Sequence, residues 1–213
     1  GTFGKLLLIA GSSGMAGAAF LSACAAYRMG AGLVRIYTTE DNRSILQQLI
    51  PEAIITTYTE YDKASLLSVL EWADAVCIGS GLGRSDVADL IVNTVLKEIN
   101  VPCLIDADGI NILAAHPEWK DQLAEGNYVL TPHLKELSRL TGRPVNEIQM
   151  HRREVLEQTA RTLDVTLVQK DARTFVGAKG RRMYVNLTGN AAMAKAGSGD
   201  VLAGIIGGLM VQG

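Results

Sequence analysis

Short apolar runs alternate with longer helix-like segments along most of this chain. The apolar runs are rich in leucine, isoleucine and valine, and seven of them predict β-strands, over residues 5–10, 32–38, 53–58, 75–80, 102–106, 128–131 and 165–170. The segments between them predict helices. One helix ends near residue 28, and the others cover residues 64–72, 86–99, 135–140 and 145–163. Because continuous apolar strands separated by helices are typical of a parallel sheet covered on both faces, we predict a three-layer α/β fold with a mostly parallel central sheet.

The pattern changes after residue 170. Residues 173–176 and 182–187 predict an antiparallel pair joined through Gly177 and Gly180, followed by a glycine-rich turn and a last apolar helix. No repeat or linker divides residues 1–213, so we expect one catalytic domain. Since the apolar segment 201–210 would need a covering neighbour, we also expect the chain to be a trimmed piece of a longer protein.

Composition excludes several classes of partner. Twenty Lys and Arg residues nearly balance 22 Asp and Glu residues, which gives no electrostatic reason to expect nucleic acid or an anionic membrane. The three cysteines, Cys24, Cys77 and Cys103, form no C-x-x-C pair, and we interpret them as reduced core thiols. No apolar run reaches the ~18 residues of a membrane span, and no signal peptide is recognisable, so a cytoplasmic protein is expected.

Ligands of a parallel sheet bind beyond the carboxyl ends of its strands. This rule selects the loops that follow Ala10, Ser80, Asp106, Thr131 and Lys170, and each loop carries glycine or a polar group.

The turn at residues 197–200, of sequence GSGD, is the strongest candidate site. Its small residues allow a ligand close to the backbone, and the N-terminus of the following helix favours an anion. Asp200 would then place a carboxylate beside that anion, and Asn190 adds a polar group before the turn. The alternative is that Ser198 caps the helix and Asp200 only complements its dipole.

Two other glycine-rich loops are ambiguous. Residues 79–83 (GSGLG) lack the spacing of a dinucleotide fingerprint, and residues 11–14 (GSSG) lack the lysine of a P-loop. Taken alone, each loop is more often a tight strand-to-helix turn than a ligand site. Asp106 and Asp108 could hold magnesium through water, although Asp108 is better explained as the cap of a short helix.

Two further strand ends carry polar groups. His133, in the sequence TPH, lies where the sheet rule places ligands, whereas His116 and His151 do not. The segment from Lys170 to Thr174 offers two cations and a hydroxyl to a phosphate, or is an ordinary charged turn.

Taken together and in order, these segments resemble one family over essentially the whole chain. The segments are LLLIAGS, LSACAAYRMGAGLV, GSGLG, CLIDADGIN, LTPH, VQKDARTFV and TGNAAMAKAGSGDVLAG. They are similar to the ADP- or ATP-dependent NAD(P)H-hydrate dehydratases of the ribokinase-like superfamily.

The resemblance implies a ribokinase-like fold and the repair of NADH or NADPH that has gained water across its nicotinamide ring. An adenine nucleotide, ADP or ATP with Mg²⁺, would phosphorylate the ring hydroxyl, and phosphate would then leave. It implies a nucleotide site and a site for the hydrated dinucleotide. The nucleotide site would comprise Lys170, Asp171, Ala172, Arg173, Thr174 and Gly199, and the other site Ala18, Gly81, His133 and the catalytic Asp200, with Asn190, Ser198 and Asp106 in support. A homo-oligomer and an epimerase domain, fused or separate, are implied as partners.

The chain departs from the family pattern at three places, one of them a pair of residues. Asp171 stands where glycine is usual, Leu134 and Lys135 where Pro-Gly is usual, and Ala196 where a second glycine is usual. These departures bear on nucleotide affinity more than on the type of reaction. Two alternatives stay open: a ribokinase-like kinase acting on a vitamin-type alcohol, and a nucleotide-binding module without turnover.

Overall fold

A computed structural model describes residues 2–213, and its centre is one nine-stranded sheet. The strands are β1 Lys5–Ile9, β2 Leu33–Thr39, β3 Ile54–Tyr58, β4 Ala75–Ile78, β5 Cys103–Ile105, β6 Tyr128–Leu130, β7 Thr166–Gln169, β8 Phe175–Gly177 and β9 Tyr184–Val185. The helices are α1 Ala16–Arg28, α2 Arg43–Leu49, α3 Lys63–Trp72, α4 Asp86–Glu98, α5 Ala107–Ala115, α6 Leu134–Thr141, α7 Val145–Met150, α8 Arg152–Leu163 and α9 Ser198–Met210. Short 3₁₀ segments occupy Glu40–Asn42, Pro117–Glu125 and Ala191–Met193.

The strand order is β3-β2-β1-β4-β5-β6-β7-β8-β9. The first seven strands are parallel, and β1 pairs with both β2 and β4, as in the registers Leu8↔Ile36 and Leu8↔Cys77. β8 and β9 are antiparallel, with Val168 of β7 opposite Val176 of β8. The chain order therefore reverses between β1 and β4, and this is the position where a doubly wound sheet opens a crevice for a ligand.

Alternating side chains of the strands pack into two separate hydrophobic cores, one on each face of the sheet. Leu7 and Ile9 of β1 are fully buried against a core formed with α3, α4, α5, α6 and α8. Leu6 and Leu8 point to the other face, into an alanine-rich core formed with α1, α2 and α9. Helices therefore cover both faces, and the predicted three-layer fold with a mostly parallel sheet is confirmed.

Helices α1 and α9 pack closely because α9 carries glycines on the contact face. A β-carbon on Gly208 would lie 2.9 Å from the carbonyl oxygen of Ala26, and one on Gly204 would overlap the carbonyl oxygen of Ser22. The Ser22 hydroxyl also donates a hydrogen bond of 3.0 Å to the backbone oxygen of Asp200. This packing fixes the first turn of α9, which carries the GSGD sequence.

The helix predicted over residues 145–163 is wrong in one respect. It divides into α7 and α8 at His151, whose φ of −122° and ψ of 36° are not helical. The apolar spacing stays in phase across the break, so periodicity alone could not locate it. Helix α2 was not predicted from the sequence, because it is only seven residues long and buries a single side chain, Leu46.

Two other sequence expectations concern membranes and cysteines. Of the helices in residues 2–213, none is both long and apolar enough to cross a bilayer. All three cysteines are free, with Cys77 and Cys103 buried and Cys24 partly so, as predicted. Burial raises the pKa of the Cys77 and Cys103 thiols, which are therefore protonated, inert core groups.

Candidate active site

The carboxyl ends of β5, β6 and β7 bring three polar side chains together. Asp106, at the end of β5, is 1% exposed, and its Oδ1 accepts hydrogen bonds from Thr131 Oγ1 at 2.5 Å and from Lys170 Nζ at 2.6 Å. Parallel pairing continues past the strands, because the Lys170 amide donates to the Pro132 oxygen at 2.8 Å. A lysine ammonium is thus held at a defined place beyond the sheet by a buried carboxylate.

The N-terminus of α9 faces the same ammonium. A β-carbon on Gly199 would lie 3.6 Å from Lys170 Nζ and 3.9 Å from Asp106 Oδ2. Gly197, with a φ of 85°, is the N-cap, and no side chain caps the helix. Backbone N–H groups, the helix dipole and Lys170 therefore all favour an anion at this place.

Ser198 does not cap the helix, so this part of the alternative offered from the sequence is wrong. Its hydroxyl instead donates a 2.7 Å hydrogen bond to the carbonyl oxygen of Met193, in the preceding 3₁₀ segment. Asn190 is the side chain that caps that segment, since its Oδ1 accepts from the Ala192 amide at 2.8 Å. Both residues thus shape the loop that leads into α9.

Asp200 is half-buried one residue further along α9. Burial raises the pKa of its carboxyl first, and the negative charge of Asp106 raises that pKa further. Hydrogen bonding from the Ser80 hydroxyl and the positive charge of Lys170 lower the pKa in part. The carboxylate is therefore placed near the end of β4, and its raised pKa makes it a better proton acceptor than an exposed aspartate.

The two ambiguous glycine-rich loops are joined at the switch point between β1 and β4. The amide of Gly11 donates to the Ser80 oxygen at 3.0 Å, and the amide of Ser12 donates to the Gly81 oxygen at 2.6 Å. Gly81 has a φ of +60°, and a β-carbon there would lie 2.8 Å from the β-carbon of Ala18. Ala18 and Gly81 are thus brought together, and only small residues allow the first turn of α1 to approach this loop.

The prediction that Asp108 caps α5 is wrong. Its Oδ2 accepts a 2.9 Å hydrogen bond from the Gly83 amide, so this carboxylate ties α5 to the GSGLG loop. Because Asp108 is occupied there while Asp106 is bound to Lys170, the two carboxylates do not form a pair that faces one cation. Within residues 2–213, no group of three or more His, Cys, Asp or Glu side chains could hold a metal ion.

A cavity of about 490 Å³ adjoins Gly199 and Lys170. This volume lies in the range of small-molecule sites. The cavity is bounded by the 170–174 loop, the start of α9 and the turn around residue 190, and several of its lining side chains are apolar. Its lining comprises Val168, Lys170, Asp171, Ala172, Thr174, Val176, Tyr184, Asn186, Gly189, Asn190, Met193, Ser198, Gly199 and Leu202. Of the predicted nucleotide-site residues, Arg173 alone is not part of this lining, and it is exposed.

His133 is the N-cap of α6. Its Nδ1 accepts hydrogen bonds from the amides of Lys135 at 3.0 Å and Glu136 at 3.2 Å, and Glu136 accepts in return from the His133 amide. With Nδ1 an acceptor, the ring proton is on Nε2, which lies 3.3 Å from a Glu136 carboxylate oxygen. Burial, and then the charges of Lys170 and Arg139, lower the pKa of His133, so the ring is neutral near pH 7.

The sequence did not single out Ser80, Thr131 or Arg152 as site side chains. Ser80 and Thr131 occupy strand ends that the sheet rule selected, but the rule does not say which side chains turn toward the centre. Arg152 lies 19 residues before Asp171, with which it forms an ion pair of 2.6 Å. No local sequence signal links the two, because the contact joins two separate elements.

Comparison with known proteins gives one family. Residues 6–213 match a sequence profile described as NAD(P)H-hydrate dehydratase. The chain is 38% identical to the bifunctional NAD(P)H-hydrate repair enzyme Nnr of Coxiella burnetii, with all of this chain but 42% of that protein aligned. It is also 38% identical to the ADP-dependent (S)-NAD(P)H-hydrate dehydratase of Neisseria meningitidis, over 100% of this chain and 71% of that protein.

Solved structures give the same result for the fold. The ADP/ATP-dependent NAD(P)H-hydrate dehydratase of Bacillus subtilis, co-crystallised with ATP and Mg²⁺, superposes with a TM-score of 0.81 at 32% identity, covering 99% of this chain and 73% of that one. A ribokinase-like superfamily protein of Enterococcus faecalis superposes with a TM-score of 0.88 at 30% identity, over 99% and 72% of the two chains. The predicted ribokinase-like fold is therefore confirmed.

Proposed function

This chain belongs to the NAD(P)H-hydrate dehydratase family, and we propose that it restores NADH and NADPH from their hydrated forms with an adenine nucleotide as phosphoryl donor. The nucleotide would be ADP or ATP, since relatives named for this activity are called ADP-dependent or ADP/ATP-dependent. The C. burnetii relative is bifunctional, and we propose that an epimerase activity, fused or separate, accompanies this one.

One observation carries the proposal: two consecutive residues at the start of α9 serve two neighbouring spaces. Gly199 faces Lys170 and the 490 Å³ cavity. Asp200 lies near Ser80 of the GSGLG loop at the switch point, because the Ser80 side chain is among the groups that lower the pKa of its carboxyl. A phosphoryl donor in the cavity and an acceptor hydroxyl at the switch point would therefore meet across the first turn of this helix.

The first step is transfer of the terminal phosphoryl group to the hydroxyl of the hydrated nicotinamide ring. A new P–O bond forms to the ring oxygen while the P–O bond to the rest of the nucleotide breaks, and Asp200 receives the hydroxyl proton. Lys170 and the uncapped amides of α9 stabilise the charge on the phosphoryl oxygens. Because such a transition state is loose, placing the reactants contributes more than the strength of the base.

The second step expels the phosphate. The C–O bond breaks with its electron pair leaving on phosphate, while the lone pair of the ring nitrogen forms a C=N bond. Loss of a proton from the neighbouring carbon then restores the ring double bond. Phosphorylation is needed because hydroxide is a poor leaving group, and the cationic end of the site keeps the departing dianion stabilised.

Magnesium fits this site only as part of the nucleotide. Asp106 and Asp200 are two carboxylates near the place proposed for the phosphates, and they would supply the usual one or two protein carboxylates beside the substrate phosphates. When bound, the ion would neutralise phosphate charge. No protein cage for a free ion is present in the part of the chain that the structure describes.

The hydrated dinucleotide is proposed to lie against Ala18, Gly81 and His133. Gly81 has no side chain and Ala18 only a methyl group, so both leave room for a ligand. The neutral His133 ring would turn its Nε2–H from the Glu136 carboxylate, 3.3 Å away, to the substrate. We further propose that the protein acts as a cytoplasmic homo-oligomer, which light scattering after size exclusion would test.

The test is an absorbance assay with hydrated NADH or NADPH, Mg²⁺ and either ADP or ATP. We expect recovery of the dihydronicotinamide absorbance that requires the nucleotide and disappears in the variant Asp200→Asn. No recovery, together with phosphorylation of a pyridoxine- or thiazole-type alcohol, would instead establish a vitamin kinase. Nucleotide-dependent thermal stabilisation that is equal in both proteins, with no turnover of either kind of substrate, would establish a binding module.

A further inference from the structure

We propose that Arg152 is a positioning residue for the nucleotide: it cancels the charge of Asp171 and fixes the 170–174 loop beside the phosphates. The inference rests on the proposed function, because it assumes that the cavity next to Gly199 receives an adenine nucleotide. The pair of Arg152 and Asp171 is not part of the family pattern, because Asp171 stands where that pattern has glycine.

Asp171 is placed where a free carboxylate would oppose binding. It lines the cavity together with Lys170, Thr174 and Gly199. A nucleotide diphosphate or triphosphate bound there carries several negative charges, and a like charge at short range repels each of them. Its charge must therefore be neutralised if the loop is to bind phosphates.

The structure shows how that charge is neutralised. Asp171 Oδ2 accepts a 2.6 Å hydrogen bond from Arg152 Nη2, and Asp171 Oδ1 accepts one of 2.8 Å from the Ala172 amide. Both carboxylate oxygens are thus engaged, and the side chains of Arg152 and Asp171 are 17% and 31% exposed. Because the Arg152 side chain is mostly buried, the pair is screened less by salt than one between two fully exposed side chains.

Arg152 is itself held from two sides. It is the first residue of α8, and its guanidinium lies 5.2 Å from the centre of the Phe175 ring in β8. A planar guanidinium can stack on an aromatic ring and bind a carboxylate at the same time, which a lysine ammonium does less well. The arginine therefore links α8, β8 and the loop, and it keeps the Asp171 carboxylate turned toward α8.

The experiment measures dissociation constants of AMP, ADP and ATP by calorimetry for the variants Arg152→Gln, Asp171→Asn and the double variant. The matched control is Arg153→Gln, because Arg153 is the next residue of α8 and pairs at 2.9 Å with Glu157 on the surface, away from the nucleotide cavity. The control makes the same change in net charge.

We expect Arg152→Gln to weaken ATP binding about tenfold, ADP less and AMP least, because the repulsion from Asp171 grows with the charge on the ligand. The double variant should bind ATP within about twofold of wild type, and Arg153→Gln should be unchanged within the same margin. Asp171→Asn alone should bind ATP as well as wild type or better. If the ion pair were purely structural, Arg152→Gln would weaken the binding of all three nucleotides equally, and adding Asp171→Asn would not restore the binding.

The inference is overturned if Arg152→Gln behaves like Arg153→Gln, if its effect is the same for AMP and ATP, or if Asp171→Asn weakens ATP binding. Should Arg152→Gln fail to fold, Arg152→Lys retains the charge and is expected to show a smaller loss with the same order of nucleotides, and equal losses for AMP and ATP would overturn the inference. A wild-type protein that binds no adenine nucleotide would overturn the proposed function itself, so the two failures are distinguishable.

Discussion

The Asp106 carboxylate and the Lys170 ammonium are 2.6 Å apart, although 64 residues separate them in the chain. The side chain of Asp106 is 2% exposed and that of Lys170 is 21% exposed. The buried carboxylate is also bound by the Thr131 hydroxyl, so three adjacent strands fix one cation at the place where α9 begins. The pair organises the anion-binding end of the candidate site.

Removal of Lys170 alone is expected to destabilise the protein. Lys170→Met leaves Asp106 buried with only the Thr131 hydroxyl, and we expect a loss of about 2–4 kcal/mol in the free energy of unfolding. Lys170→Met combined with Asp106→Asn should recover part of that loss, because no unpaired charge is then left buried. Urea denaturation of the single and double variants measures both values.

Nucleotide binding should not recover in the same way. The double variant lacks the ammonium that faces Gly199, so its dissociation constant for ADP should stay as high as that of Lys170→Met. If the double variant regained both stability and affinity, Lys170 would be a structural residue only.

Asp200→Asn separates the chemical role of this residue from its effect on stability. We expect kcat to fall by about 10²–10⁴-fold, the usual contribution of a general base. The free energy of unfolding at neutral pH should rise, because burial and the charge of Asp106 penalise the ionised carboxyl in the folded protein. Steady-state kinetics and urea denaturation test the two parts.

The stability that Asp200→Asn gains over the wild type should decrease as pH falls. The pKa of Asp200 is raised in the folded protein, so its contribution to stability is present below the unfolded pKa of about 4 and is lost as pH rises through the higher folded value. The advantage of Asp200→Asn is therefore expected at neutral pH and should vanish in acid. An advantage that grew as pH fell would contradict the assigned direction of the shift.

The sequence was sufficient for the sheet because its central strands are mostly apolar runs, as at residues 6–9 and 75–78. It was also sufficient to select the loops around the site, since parallel strands place their carboxyl ends at one edge. It was not sufficient for contacts that depend on how the loops fold. Asp108 is an example: its short-range sequence context suggests a helix cap, whereas its actual partner, the Gly83 amide, is 25 residues away.

Two substitutions of His133 distinguish its structural role from its proposed contact with the substrate. His133→Ala removes the side-chain acceptor of the α6 cap and should cost about 1 kcal/mol. His133→Asn retains an acceptor for the amides of Lys135 and Glu136, so its stability should be close to wild type. Thermal denaturation provides this comparison.

The kinetics of His133→Asn then report on the substrate. We expect the KM for hydrated NADH to rise about threefold to tenfold, the usual effect of one lost hydrogen bond, with the dissociation constant of ADP unchanged. An unchanged KM would limit His133 to its capping role. The sequence could not have revealed the capping role, because histidine is an uncommon helix cap.

Gly199→Ala tests where the phosphates bind. The position has no positive φ, and an added methyl group would have only ordinary contacts, at 3.6 Å from Lys170 Nζ and 3.9 Å from Asp106 Oδ2. The fold should therefore tolerate alanine and gain up to about 1 kcal/mol from its helix propensity. The methyl group would nevertheless occupy the space beside Lys170, so the dissociation constant of ADP should rise roughly tenfold.

The opposite pair of results for Gly199→Ala, with lower stability and normal ADP binding, would place the phosphates elsewhere. A glycine-rich turn at a helix start was recognisable from the sequence, but its distance to Lys170 was not, since that contact crosses from β7 to α9. This contact needed the three-dimensional arrangement of strand ends.

The most direct measurement uses hydrated NADH whose ring hydroxyl carries a heavy-oxygen label. If the hydroxyl is phosphorylated and then leaves as phosphate, one labelled oxygen should appear in inorganic phosphate for each NADH regenerated, in the wild-type protein with ADP or ATP. Mass spectrometry of the released phosphate gives this ratio. Label found in water, with unlabelled phosphate, would mean that the hydroxyl never receives the phosphoryl group and would contradict the role given to Asp200 and the first turn of α9.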